Sequence, residues 1–530
     1  MARKRPSEVY RFTAFLQAVF VFLLAISASA QAQEAPPLLT IFHTNDVHGH
    51  VLGERSGQAL SAIGYSRLKT YVNQCPAKHK LLLDAGDVLH GHPLATVRQG
   101  ELVAGLLAKM NYDALAVGNH DFDYGLARLM ELRDKYELNF IAANIIEKED
   151  GAPLLPPYLI KDFGDCKVGI FGLTTPETPI KTSPGNVDLV TFGTSEQLAV
   201  TARDMARFLR EEKRVDLVVA LTHLGTGPLD DPGAQAVAKE APGIDLIIDG
   251  HSHSVIKGLR VGGALIVSTG AYLANLGQID LNRLPEGGWA ISPKLISASE
   301  LTEVDPETEI EALSLTFQEE LNQELNQVVA SIPFDLNGNR EQIRFSSTNF
   351  GRLVCAAMKQ GTGADVAIIN SGSIRGSIPA GDITRGRLLS VLPYGNYTVT
   401  VRLSGAELME VINIGLSQPG EGGFPQFHGL NVAAYEVKAP DGAIISRDVA
   451  EYVEVNGRRL DKNAEYVVAI NDFMYAGGDG YVTFSGSIAR EYGTVEELLR
   501  HYLANVSRAE LEAVNLDDAL AIIVEEMVDE

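Results

Sequence analysis

The chain has 530 residues, 45% hydrophobic and 21% charged, which excludes a disordered protein and a single small core and points to two domains of ordinary size. Its formal charge of −24 excludes nucleic acid and anionic membrane surfaces as general partners, so an anionic substrate would need positive charge concentrated locally, as bound metal ions provide. Three cysteines, Cys75, Cys166 and Cys355, allow at most one disulfide, so stability must rest on core burial.

Residues 1–30 read as a Sec-type signal peptide: Arg3, Lys4, Arg5 and Arg11, an apolar run from Phe12 to Ile26, then small residues suited to cleavage after Ala30 or Ala32. The run is shorter than the ~20 residues a span needs, and no later stretch reaches that length. The expectation is an exported chain, periplasmic or extracellular, with no stable membrane insertion. Removing a net +3 leaves the mature form near −27.

From 38 to 300 apolar runs alternate with amphipathic ones: LLTIFHTN, KLLLDAG, YDALAVGN, FIAANI, KVGIFGLT, DLVVALTH, DLIIDGH and ALIVSTG. Nearly continuous hydrophobicity is the mark of buried strands in a helix-flanked sheet. Residues 301–330 contain a long helical pattern with Asp305 and Pro306 as its start signal, read as a linker helix. A second α/β region follows over 331–495, and 496–530 reads as an acidic helical tail.

Polar residues gather where the strands of the first region end. Asp46 and His48 are spaced i, i+2, which places both on one face if the strand continues through them. Asp87 follows KLLLDAG; Asn119, His120 and Asp123 follow ALAV; His223 ends LVVALTH; His251 and His253 follow LIID. Five strands ending in these residue types make a divalent-metal site the economical explanation. Two ions about 3.5–4 Å apart lower the pKa of a bridging water and bind a phosphoryl group. His120 lies beside a candidate ligand, and Asp123, three residues on, can fix its tautomer. His43 reads as a core histidine. His90 and His92 read as part of a solvated loop, and His50 is unassigned.

D-x-H, G-D, G-N-H-[DE], T-H and G-H-x-H in this order resemble the calcineurin-like metallophosphoesterases, and FHTNDVHGH, GNHDFD and GHSH resemble the 5′-nucleotidase family. The resemblance implies a four-layer α/β sandwich with two divalent ions, zinc, manganese or similar. Asp46, His48, Asp87 and His253 would hold one ion. Asp87, Asn119, His223 and His251 would hold the other, with Asp87 bridging. His120 and Asp123 match the catalytic dyad.

The second region offers Arg340 and Arg344 in NGNREQIRF, Asn370 and Arg375 in NSGSIR, Tyr394 and Asn396 in PYGN, and Phe473 and Asp479 in NDFMYAGGDG. Two aromatics, several arginines and a carboxylate suit a nucleotide: rings stack on the base, the acid accepts ribose hydroxyls, and guanidinium groups meet phosphate. The same positions resemble the family's substrate motifs, with Tyr394 and Phe473 as the base-stacking pair. Ser371 and Ser373 stand where the resemblance has glycine, Asp121 where it has glutamate, and Asp472 where it has asparagine. The reading is a dimetal phosphohydrolase of nucleoside 5′-monophosphates. Alternatives are a UDP-sugar hydrolase or 2′,3′-cyclic-nucleotide phosphodiesterase and, more distantly, a sulfur-oxidation thiohydrolase or a non-catalytic nucleotide-binding protein.

Overall fold

The apolar runs between 38 and 298 form strands in two six-stranded sheets stacked face to face. A computed structural model describes residues 36–182, 185–226, 233–438, 444–484, 489–516 and 520–526; the signal peptide expected at 1–30 lies outside them. In the first sheet Leu39–Thr44 runs parallel to His79–Asp84 and antiparallel to Asn275–Arg283, followed outward by Ala114–Ala116 and Phe140–Ile141. In the second, Leu217–His223 lies between Lys167–Thr174 and Leu246–Asp249, parallel to both.

Strand alternation builds the layers. Leu39, Ile41, Leu81 and Leu83 of one sheet meet Val168, Leu217, Val219 and Ile248 of the other in a shared inner core. Phe42 and Leu82 point the opposite way, into helices that cover the first sheet, while Val218 and Ala220 point into helices that cover the second. Both faces of the central strands are therefore buried, which is why these runs read as continuous rather than alternating. The result is the helix–sheet–sheet–helix sandwich expected from the resemblance. His43 is buried with no partner for Nδ1, pushed down to about 3 by burial, and it fits only because Gly277 lies opposite: a Cβ there would come within 1.9 Å of its Nε2.

The helix Thr308–Leu325 begins two residues beyond Pro306 of the Asp-Pro pair, with the Glu307 side chain capping the Ile310 N–H at 2.8 Å. It places Ile310 and Leu321 in the core of the first half. The C-terminal half is built on a five-stranded sheet with Val366–Asn370 beside Glu465–Asn471 at its centre. The tail expected to be helical over 496–530 is helical only as far as Leu516 among the described residues. The helices Val495–Asn505 and Arg508–Leu516 pack on the body, and Leu520–Glu526 is a strand parallel to Leu430–Lys438. The run LAIIVEE carries β-branched residues, and an open sheet edge outweighs the acidic, helix-like composition around it. All three cysteines are free, and among the described residues no helix is long and apolar enough to cross a membrane.

Glu496, on the helix Val495–Asn505, is 4% exposed, and burial pushes its carboxyl up to about 7 despite Arg500 and Arg385. A raised folded-state value means its contribution is intact below the ordinary 4.5 and is lost as pH rises through 7. Glu496→Gln should therefore gain on the parent between pH 4 and pH 8 by at most about 3 kcal/mol in unfolding free energy. Denaturant titrations at the two pH values check this; a pH-independent difference would refute it.

Candidate active site

The strand Leu39–Thr44 stops before the residues that matter. Asp46 and His48 were expected on one pleat of an extended strand; instead both take left-handed backbone, with φ of 49° and 47°. Asp87, His251 and His253 do the same, at 60°, 84° and 51°. Backbone bonds replace the strand ladder: Asp46 N–H donates to Gly86 O at 2.9 Å and His48 N–H to Asp87 O at 2.8 Å, so two loops are laced together. The left-handed turns bring i, i+2 side chains to one side where a pleat would have done so by another route.

The donor atoms then converge. His48 Nε2 lies 3.0 Å from His253 Nε2 and 3.7 Å from Asp87 Oδ2, and His253 Nε2 lies 3.6 Å from Asp46 Oδ1. On the other side His223 Nε2 is 3.1 Å from Asp87 Oδ2, and His251 Nδ1 is 2.9 Å from Asn119 Oδ1. Asp46, Asp87 and His223 also fall within one ligand-sized cluster, so Asp46 reaches toward both groups as Asp87 does. All seven expected positions are thus brought to one place.

The tautomers test whether ions fit. His223 Nδ1 donates to Ala85 O at 2.8 Å, which turns the buried Nε2 toward Asp87 Oδ2 at 3.1 Å; burial opposes the charged ring, but Asp87 pushes it up to about 10, and a cation there would take the place of that proton. His48 Nδ1 donates to His90 O at 3.2 Å, which likewise turns the Nε2 lone pair inward. The Asn119 amide donates to Lys181 O at 3.1 Å and presents its oxygen. Imidazole, carboxylate and amide oxygen donors converge to within a few ångströms of one another, and His48, His223 and Asn119 each have their outer nitrogen held by a backbone carbonyl, as metal ligands commonly do. The donor set fits divalent ions.

Beside this cluster His120 Nδ1 bonds Asp123 Oδ2 at 2.8 Å, and Thr182 Oγ1 donates to Asp123 Oδ1 at 2.7 Å. Burial opposes the imidazolium, but Asp123 and Asp87 outweigh it and push His120 up to about 10. The loop is fixed by Asp121, which is 2% exposed and accepts from the N–H groups of Asp87, Val88, Leu89 and Gly118 at 2.8–2.9 Å. Sequence reasoning passed over Asp121 because it supplies no donor to the cluster.

His90 is not in a solvated loop. It is 1% exposed, and its Nδ1 lies 2.6 Å from the Tyr397 hydroxyl and 3.3 Å from Asp123. Tyr397, from the C-terminal half, stacks on His120 with centroids 4.1 Å apart, and Lys181 pairs with Glu491 at 3.0 Å. These contacts join distant parts of the chain, and no local pattern announced them. His92 is half-buried rather than solvated: its Nδ1 accepts the Leu94 N–H and starts a short helix, so that lone pair is taken. His50 pairs with Glu54 at 2.8 Å.

Five of the eight expected substrate residues divide between two hollows; Asn370, Phe473 and Asp479 line neither. His48, Asp87, Asn119, His120, His251 and His253 line a cavity of about 790 Å³ whose far wall carries Tyr394, Asn396 and Asp472, with Asn396 donating to Asp472 at 2.7 Å. Arg340, Arg344 and Arg375 line a separate cleft of about 290 Å³. Burial and the two neighbouring guanidinium groups lower Arg344, the signature of concentrated positive charge. The Arg375 guanidinium lies 5.9 Å from the Tyr394 ring, and Tyr394 and Phe473 are 57% and 43% exposed, so each ring presents surface to solvent. Asn370 bonds Asp479 at 2.8 Å.

Two family descriptions match: calcineurin-like phosphoesterase over residues 39–255, and 5′-nucleotidase, C-terminal domain, over 328–486. A 5′-nucleotidase of Vibrio cholerae is 30% identical over 88% of this chain and 90% of its own length. The chain belongs to the 5′-nucleotidase family. A trifunctional nucleotide phosphoesterase protein of Bacillus subtilis, YfkN, is also 30% identical over 84% of this chain, which spans about a third of that longer protein (32%). The solved structure of a 5′-nucleotidase precursor from Thermus thermophilus superposes with TM-score 0.57 at 26% identity, covering 92% of this chain and 99% of the other. This member of the 5′-nucleotidase family is a metal-dependent phosphoric ester hydrolase, and the converging donors lie where its phosphoesterase match and its C-terminal match face each other.

Proposed function

We propose that the protein is an exported 5′-nucleotidase that releases phosphate from nucleoside 5′-monophosphates and related nucleotides, using two zinc, manganese or similar ions. Asp46, His48, Asp87 and His253 hold one ion; Asp87, Asn119, His223 and His251 hold the other. Bound there, the ions supply an activated water at neutral pH and neutralise charge on the phosphoryl oxygens. His120 contacts the phosphate or leaving oxygen and moves a proton, with Asp123 fixing its ring. The single observation that carries this reading is the pairing of a donor cluster fit for divalent ions with a triple-arginine cleft whose Arg375 guanidinium lies 5.9 Å from the exposed Tyr394 ring.

Phosphate release from AMP, UDP-glucose, ADP, 2′,3′-cyclic AMP, NAD and a phosphosugar, measured after chelation and after manganese or zinc add-back, tests it. AMP turnover that disappears with chelator and returns with metal supports the reading. Tight binding with no release from any of them would favour a binding protein. Best turnover of UDP-glucose or the cyclic nucleotide would move the assignment to that substrate.

The arginine cleft and the metal cavity are separate hollows, and Tyr397 covers His120. Substrate transfer then rests on rotation of the C-terminal half about the Thr308–Leu325 region. An engineered disulfide between the Thr178–Lys181 helix and the Arg490–Thr494 strand, which pack together, should lower nucleotide turnover at least tenfold, reversibly on reduction. Full activity of the locked form would refute the rotation.

A further inference from the structure

Where the resemblance has glycine, this chain carries Ser373, and its hydroxyl is not idle. Ser373 Oγ donates to Asn370 Oδ1 at 2.6 Å. Asn471 Nδ2 donates to both Asn370 Oδ1 and Ser373 Oγ at 2.9 Å. The three side chains form a closed ring, and all are buried: 3% exposed for Asn370, 6% for Ser373 and none for Asn471. Two donors on Asn370 Oδ1 fix which way that amide faces, because a flipped amide would put its own N–H groups against them. The Asn370 amide nitrogen is therefore aimed outward, where it donates to Asp479 Oδ2 at 2.8 Å.

Asp479 needs that hold. It sits on left-handed backbone, φ 53°, between Gly477 and Gly480, both also at positive φ. A carboxylate on so permissive a loop has no preferred direction of its own; the Gln418 amide fixes its backbone carbonyl at 2.9 Å, and Asn370 fixes its side chain. The same ring reaches the aromatic wall. Asn471 Oδ1 accepts the Met474 N–H at 2.9 Å and so caps the short helix that carries Phe473.

We propose that Ser373 is a positioning residue for nucleoside recognition, acting through Asn370 on Asp479. The inference rests on the reading of Asp479 as the acceptor for the nucleoside's hydroxyl groups. Removing the Ser373 hydroxyl leaves Asn370 Oδ1 with the Asn471 donor alone and weakens the hold on the amide that aims at Asp479. The effect belongs in binding of the nucleoside and not in the chemistry at the ions.

The experiment compares Ser373→Ala, Asp479→Ala and the double variant in steady-state assays, metal-loaded, on the best nucleotide and on phenyl phosphate, which has no nucleoside. Ser373→Ala should raise KM for the nucleotide about 3- to 10-fold, the span of one buried hydrogen bond, with kcat unchanged. Phenyl phosphate kinetics should not move, and the double variant should be no worse than Asp479→Ala alone, since both changes cut one path. An unchanged nucleotide KM in Ser373→Ala, an equal effect on phenyl phosphate, or additive losses in the double variant would overturn the inference while leaving the nucleotidase reading in place. If Asp479→Ala itself leaves nucleotide KM unchanged, the assignment of Asp479 fails, and the role of Ser373 fails with it.

Discussion

His120→Gln is expected to lower kcat by about 10²–10⁴-fold with both metal equivalents retained. In the proposed assignment the side chain is not a metal ligand, and its backbone N–H, which donates to Asp87 Oδ1 at 2.9 Å, survives the change. Glutamine keeps approximate size and polarity but cannot carry a proton at neutral pH. Steady-state kinetics alongside metal analysis of the purified variant separate the two roles: a loss under tenfold, or a loss of metal, would remove His120 from proton transfer. The electrostatics sharpen this. In the metal-free chain Asp123 and Asp87 override burial and hold the imidazolium up to about 10, so the proton stays on through neutral pH and leaves only in base. The stabilisation from this pairing is complete below the ordinary value of 6.5 and is lost as pH rises through 10.

Asp121→Ala should be the most damaging single change to stability near the site. It strips the acceptor from four N–H groups, those of Asp87, Val88, Leu89 and Gly118, around a side chain that is only 2% exposed. Each orphaned donor costs about 1–3 kcal/mol before relaxation, so a loss on the order of 4 kcal/mol, or roughly 10 °C in Tm, is expected. Asp121→Asn retains a carbonyl oxygen and should recover part of that loss. Calorimetry of the two variants decides it; a loss below about 1 kcal/mol for alanine would show that the loops are held by other contacts.

The sandwich was legible because its central strands are buried on both faces. Runs such as LLTIF and DLVVAL have no polar face to disguise them, and their ends coincide with the donor residues. The donors were legible because five strand ends carried them in a fixed order. What escaped reading has a common physical cause: it depends on partners far away in sequence. Tyr397 meets His90 across 307 positions and Lys181 meets Glu491 across 310, and neither pair has any local periodicity. His90 looked like a loop residue because the surface that buries it comes from the other half of the chain. The strand Leu520–Glu526 was hidden for the same reason, since its partner is Leu430–Lys438. The i, i+2 rule placed Asp46 and His48 together correctly but through the wrong backbone, because a single sequence does not reveal where a strand gives way to a turn.

Asp46, His48, Asp87, His251 and His253 each do two jobs at one residue: they present a donor and they occupy a left-handed conformation. Aspartate, asparagine and histidine are the non-glycine types that tolerate that conformation best. Alanine at these positions would remove the donor and strain the turn together, leaving lost activity and lost folding entangled. An inert form of the protein intended to trap an intact substrate is better made with asparagine at 46 or 87, where the charge disappears and the chain path does not.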